Sequence, residues 1–332
     1  MSYTAEDDRK IETMLATDGR GMFMAHITIA SLLASAKGDR PIRINLLVDG
    51  FTDEMKDVIR REVDKYPFAS IRFVEANEIL TPYLDTLNRC MIGAFGAFSI
   101  MTWVRCFCDV LLPDVQGKLV YIDIDTYVAD DIALLVDVDL EGKMLGAVPE
   151  CSKIDKPSWH EWVQIDSDYY FNAGVMVIDM AEYRKLGGSK RLMEVVGHNM
   201  DRMHLLDQDA LNYFANGNFK ALHPRWNYND GWVEKQFMFS LADLDWRGRK
   251  PKEILEAIFS PGIIHYVGKK KPWRFNHRPE RRRYERLMRK MGYLHTRVLP
   301  GSNPVNELVR AFFDGYHFIL IQIAKLRYKL CR

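Results

Sequence analysis

Cysteine is sparse in this chain and unorganised where it occurs. The five cysteines, Cys90, Cys106, Cys108, Cys151 and Cys331, form no Cys-x-x-Cys pair and are odd in number. Neither a disulfide framework nor a zinc knuckle is indicated, and a reducing compartment fits. Net charge is also nearly absent, at +1, so the chain as a whole is no electrostatic trap for nucleic acid, and none is expected as a partner. No run reaches the ~20 apolar residues of a membrane-spanning helix. The N-terminal run Met1-Ser-Tyr-Thr-Ala-Glu-Asp-Asp lacks the basic and then apolar regions of a signal peptide. Internal repeats and low-complexity segments are missing too. The expectation is a cytoplasmic protein, peripheral at most at the inner face of the cell membrane.

What is present is ample material for a core. Across 332 residues, 48% are hydrophobic and 12% aromatic, enough for one large α/β domain or a domain with an appendage. Strand-like and helix-like segments alternate. Ile11 to Ala16, Ile42 to Val48, Ile71 to Val74 and Leu119 to Ile122 read as strands. Phe23 to Ala36, Asp53 to Tyr66 and Ser99 to Leu112 read as helices. Farther on, Gly174 to Ile178 reads as a strand, with helices over Lys190 to Met203 and Asp207 to Phe214. Strands separated by helices of this length make βαβ units and a mainly parallel sheet, which binds ligands beyond the carboxyl ends of its strands.

Asp18 and the pair Asp123/Asp125 fall at such ends. In Leu119-Val-Tyr-Ile-Asp123-Ile-Asp125-Thr, two carboxylates one residue apart can turn toward one divalent ion, which prefers hard oxygen ligands and bridges to phosphates. The ordinary reading is a capped turn beside a solvated acid. A second rival is the nucleophile loop of haloacid-dehalogenase-type phosphatases, with Asp123 attacking phosphorus. That loop follows the first strand of its domain, whereas three strand-like segments come earlier here, and Asp130-Asp131 follows too closely to supply its late acidic pair.

Three further segments fit a sugar-nucleotide site. Tyr169-Tyr-Phe-Asn172-Ala-Gly174-Val puts an amide and a close-approaching backbone beside an apolar strand. Asp207-Gln208-Asp209-Ala-Leu-Asn opens a helix, where an acid caps free N–H groups. Ile264-His265-Tyr-Val-Gly268-Lys-Lys-Lys271-Pro-Trp273 offers an imidazole for a metal, a glycine that admits a pyrophosphate and a lysine to neutralise it. Each alone has an unremarkable explanation: a surface histidine, a solvated lysine turn. Gly19-x-Gly21 hints at a dinucleotide loop, but Met24 occupies the third glycine position.

Taken in order, YIDID, YFNAG, LDQDALN and HYVGKKKPW resemble glycosyltransferase family 8, from about Glu12 to Trp273. The resemblance implies a GT-A-like, Rossmann-type fold with a mixed, mainly parallel sheet flanked by helices. It implies a retaining hexosyltransferase that moves galactose or glucose from a UDP-sugar to a glycan or glycolipid such as lipopolysaccharide core. By the same resemblance, Asp123, Asp125 and His265 would hold manganese, with magnesium as a substitute. Gly268 and Lys271 would contact the diphosphate, and Arg105 the donor. Asn172, Asp207 and Gln208 would touch the sugar, Ala16 and Asp18 would hold the nucleoside, and Ile124 would contribute backbone contacts to the donor. Asp123, Asp125, Gln208 and Lys271 would be the catalytic set. The family's bacterial members often carry Asp-x-Asn-Tyr after the first strand; here the run is Asp18-Gly19-Arg20-Gly21, without the tyrosine that stacks on uracil. A phosphohydrolase would instead release phosphate from esters, and a carbohydrate- or nucleotide-binding module would bind without turnover.

From Arg278 the chain turns basic. Arg281, Arg282, Arg283, Arg286, Arg289 and Lys290 crowd one segment. Phe312, Tyr316, Ile319, Ile323, Leu326 and Leu330 then recur near helical spacing, with Lys325, Arg327, Lys329 and Arg332 beside them. The organisation expected is a catalytic domain over 1–277 and a basic helical segment over 278–332 that docks on an anionic leaflet. A helix that only packs on the domain is the competing reading.

Overall fold

The computed structural model describes residues 9–92, 100–150, 170–235, 251–274, 278–293 and 304–330. Ser99, Tyr169, Cys151, Cys331 and Arg332, named above, lie outside them. The chain groups into two compact units. One comprises Met1–Ala25, Lys37–Ile124 and Ala133–Leu222; the other comprises His26–Ala36, Asp125–Ile132 and His223–Arg332.

The first unit is built on a sheet of order β3-β2-β1-β4-β7-β6-β8. Its strands are β1 (Ile11–Asp18), β2 (Ile42–Asp49), β3 (Ala69–Glu75), β4 (Lys118–Ile122), β6 (Leu145–Pro149), β7 (Phe171–Asp179) and β8 (Phe219–Ala221). Pairing is parallel from β3 through β4 and again at β6–β8, and antiparallel at β4–β7 and β7–β6. The sheet is therefore mixed and mainly parallel, as the alternating pattern predicts. Parallel central strands are covered on both faces, and accordingly Met14, Leu15, Leu46, Leu47, Val120 and Met176 are fully buried. The helix Asp53–Val63 begins at Thr52, whose side chain accepts from Met55 N at 3.3 Å, with acids in its first turn and arginines in its last, matching the helix dipole.

Three local expectations change. The helix expected from Ser99 to Leu112 is a 3-10 stretch over Ile100–Phe107 followed by a short α-turn, Cys108–Leu111. Three residues per turn line up positions i and i+3, so Thr102 and Arg105 share one line and both reach Asp207. The strand expected from Gly174 begins earlier, at Phe171, so Asn172 lies inside β7, next to the point where the register with β6 shifts between Ala147 and Val148. Asp207 does not cap its helix: the preceding residue is Leu206, with no side-chain cap bond. Instead Asp209 Oδ2 accepts from His204 N and Leu205 N at 2.5 and 2.7 Å.

The second unit holds a small sheet of β5 (Thr126–Val128), β10 (Ile263–His265) and β9 (Tyr228–Asn229), in the order β5-β10-β9. Pro251–Phe259, Arg281–Lys290 and the long helix Pro304–Leu330 accompany it. Among the described residues, no helix is long and apolar enough to cross a membrane.

Candidate active site

The apolar run of β4 stops at Ile122 and the next strand starts at Thr126, so the acidic motif occupies the gap. The division between the two units falls within it, after Ile124. In the second unit, β5 and β10 pair antiparallel with His265 opposite Thr126. Tyr266 N then donates to Asp125 O at 3.1 Å. This register brings His265 Nε2 to 3.3 Å from Asp125 Oδ1. On the other side β9 pairs parallel with β10, and Asn227, just before β9, meets His265 Nδ1 through Oδ1 at 2.8 Å. An amide oxygen only accepts, so Nδ1 carries the proton and Nε2 is the nitrogen turned toward Asp125.

Lys271 Nζ bonds the Asp125 carboxylate and donates to Tyr266 O at 2.8 Å. Burial alone would raise the Asp125 carboxyl, but the Lys271 ammonium and His265 outweigh it and hold the group well below the usual carboxylate range. Carboxylates and an imidazole are a donor set that suits a divalent ion, and Asp125 is already disposed to receive positive charge. The residues fit the expected metal, and Asp123, Asp125 and His265 form a potential metal-binding triad.

In the first unit Arg105 is the hub. It is buried, at 7% exposure. Its guanidinium reaches Asp123 Oδ1 at 2.9 Å and Asp207 Oδ2 at 2.8 Å, and donates to Ala173 O at 2.8 Å. It also lies over the Tyr121 ring, 4.4 Å from the centroid. Burial pushes the Asp207 carboxyl up, Arg105 draws it back and the charge of Asp123 adds to the rise, leaving it at about 6. The β4–β7 ladder continues past Ile122, with Asp123 N donating to Gly174 O at 2.8 Å. That places the second motif beside the first.

The remaining expected residues are placed as follows. Asn172 donates to Glu150 Oε2 at 2.8 Å and accepts from Gly174 N at 2.9 Å. Gln208 accepts from Ala173 N at 3.0 Å and donates to the Tyr170 hydroxyl at 3.1 Å. Ala16 and Asp18 close β1. The Asp18 carboxylate accepts from Arg20 N and Gly21 N at 3.0 and 3.3 Å and pairs with the Arg20 guanidinium. A Cβ on Gly21 would fall 2.1 Å from Thr17 Oγ1 and 2.8 Å from Ile124 Cδ1, so this glycine serves close packing rather than a dinucleotide loop. Gly268 has φ +84°, and a Cβ there would meet nothing within 4 Å. Its left-handed backbone, not crowding, calls for glycine.

Tyr121, Asn227, Glu150 and Asp209 were not singled out from the sequence. Only Tyr121 had a signal there: two residues before Asp123 on a strand, it must share that residue's face.

The model for glycosyl transferase family 8 matches residues 3–277. The chain belongs to glycosyl transferase family 8. General stress protein A of Bacillus subtilis (strain 168) is 26% identical over 259 residues, covering 77% of this chain and 82% of that protein. A probable galacturonosyltransferase-like 4 of Arabidopsis thaliana is 26% identical over 188 residues, 52% of this chain and 49% of its own length. Among solved structures, the galactosyltransferase LgtC with donor and acceptor sugar analogs superposes with a TM-score of 0.68 at 23% identity, over 86% of this chain and 97% of that one. The family 8 chain thus has the GT-A-like Rossmann fold, and it is a metal-assisted glycosyltransferase rather than a phosphohydrolase or a bare binding module.

Proposed function

We propose that this family 8 chain is a retaining hexosyltransferase. It takes galactose or glucose from a UDP-sugar and places it on a glycan or glycolipid, such as lipopolysaccharide core or another surface polysaccharide. The observation that carries the reading is the convergence of His265 and Lys271 on the Asp125 carboxylate. Manganese, or magnesium in its place, would be held by Asp123, Asp125 and His265 and would supply Lewis-acid neutralisation of the departing diphosphate.

Lys271 adds a second positive charge to that leaving group, and Gly268 turns its backbone toward it. Ala16 and Asp18 would hold the nucleoside and Ile124 would add backbone contacts; Arg105 would contact the donor, and Asn172, Asp207 and Gln208 the transferred sugar. The Gln208 amide is held at both of its ends, by Ala173 N and Tyr170, and an amide is a poor nucleophile. Same-face attack, with a donor phosphate oxygen taking the acceptor proton, is the route that these groups favour.

The segment 278–332 docks the enzyme on an anionic leaflet from the cytoplasmic side, where a lipid-linked acceptor would be met. In the helix Pro304–Leu330, His317, Leu320 and Ala324 are buried, whereas Phe312, Ile319 and Leu330 are 68%, 58% and 71% exposed. Val309, Phe312, Tyr316, Ile319, Ile323, Leu326 and Leu330 recur every three or four residues, one continuous stripe. Among the described side chains of this helix the only acid is Asp314, and it pairs with Arg281 and Arg282 at 3.0 and 2.7 Å. Lys325 and Lys329 are exposed. An apolar stripe flanked by cations, and among the described side chains by no unpaired acid, is complementary to an anionic lipid surface.

A panel of nucleotide-sugars incubated with manganese and no acceptor tests the activity. Slow cleavage confined to UDP-galactose or UDP-glucose is expected. Release of phosphate from simple esters with every donor left intact would overturn the reading.

A further inference from the structure

β4 closes with Tyr121-Ile122-Asp123, and residues two apart on a strand point to one face. The Tyr121 ring is buried, at 2% exposure, and its hydroxyl donates to Asp123 Oδ1 at 2.6 Å. The direction of that bond is fixed, because an ionised carboxylate only accepts. Arg105 Nη2 reaches the same oxygen at 2.9 Å. Two donors on one oxygen restrict rotation of the carboxylate more than either alone. They also differ in kind. A cation beside Asp123 lowers its appeal to a metal, whereas a neutral hydroxyl orients it without adding positive charge.

We propose that Tyr121 is a positioning residue for Asp123: its hydroxyl sets the carboxylate in the orientation that receives a divalent cation. This rests on the reading of Asp123 as a metal ligand. As filler for the core around Arg105, Met14 and Met176 a phenylalanine would serve equally, since it keeps every ring carbon and the face on which the guanidinium lies. Only the hydrogen bond separates the two side chains. An aspartate at a strand end, with 22% of its side chain exposed, otherwise samples several rotamers, and fixing one of them in advance lowers the cost of binding.

The test compares Tyr121→Phe with Tyr183→Phe in the full chain. Tyr183 is a second buried tyrosine of the same core, and its hydroxyl donates to Cys106 O at 2.7 Å, away from Asp123. Manganese uptake is followed by loss of the free-ion electron paramagnetic resonance signal, with and without UDP, and folding by metal-free melting. Each variant is titrated below its own transition. Tyr121→Phe is expected to weaken manganese binding about 10- to 100-fold. The manganese concentration for half-maximal turnover should rise in parallel, with kcat at saturating metal nearly unchanged. Tyr183→Phe is expected to lower the melting temperature and leave manganese affinity as it was. Wild-type affinity in Tyr121→Phe, or an equal loss in Tyr183→Phe, would overturn the proposal. A wild-type chain that takes up no manganese would remove the metal reading and this proposal with it, whereas wild-type uptake with an unaffected Tyr121→Phe would remove this proposal alone.

Discussion

At Asp125 burial and neighbouring charge pull in opposite directions, and charge wins. The carboxylate therefore stays ionised through the whole working range, as a metal ligand must. Asp125→Asn keeps the shape and removes the charge. It leaves the Lys271 ammonium with Tyr266 O as its remaining partner of the two described above, at a cost of about 1–3 kcal/mol. Sugar transfer should fall below detection while the urea midpoint drops only modestly; full turnover with manganese present would remove Asp125 from its role. Asp207 behaves the other way. Its folded pKa of about 6 lies above the ordinary 3.8, so between those values the folded chain holds more protons than the unfolded one. Stability should therefore rise as pH falls through that window and be lost as pH climbs, by roughly 3 kcal/mol in all. Asp207→Asn should flatten this segment of the profile, measured as urea unfolding free energy at stepped pH. An unchanged slope in the variant would show that another group is responsible.

Among the elements, the C-terminal helix has two apolar faces with different fates. One carries His317, Leu320 and Ala324 inward, held further by the pairing of Asp314 with Arg281 and Arg282. The other is the exposed stripe, so substitutions there should cost little folding stability. Phe312→Glu combined with Ile319→Glu should leave the melting temperature near wild type and cut flotation with anionic vesicles more than tenfold, since each buried CH2 contributes about 0.8 kcal/mol. Equal flotation of variant and wild type would leave the helix as packing alone. The same contrast explains what the sequence made legible. β1, β2 and β4 are apolar runs whose period declares them, and Asp123, Asp125 and His265 stand at strand ends where ligands are sought. The 3-10 turn at Ile100–Phe107 has no such pattern, because its reason is the Asp207 partner far along the chain. Asn227 is a role assigned by pairing as well: only the β9–β10 register brings it to His265.

For the molecule as a whole, the residues that meet at the end of β10 come from distant parts of the sequence, so they coexist only in the folded chain. Any ligand gripping them binds the native state and not the unfolded one, and heat unfolding must then shift upward with ligand concentration. At a hundred times the dissociation constant the gain is about 2.7 kcal/mol, which in a chain of this size amounts to several degrees. With two compact units, unfolding need not be one transition, so the informative quantity is the step that moves. UDP with manganese should raise it, CMP or GMP with manganese should not, and UDP with a chelator should have little effect. In Asp125→Asn the ligand-induced shift should vanish, measured against a ligand-free transition that is itself lowered by the lost Lys271 pairing. A shift of equal size with chelator present would mean that nucleotide binding owes nothing to the cation, and the roles given to Asp125 and His265 would fall together.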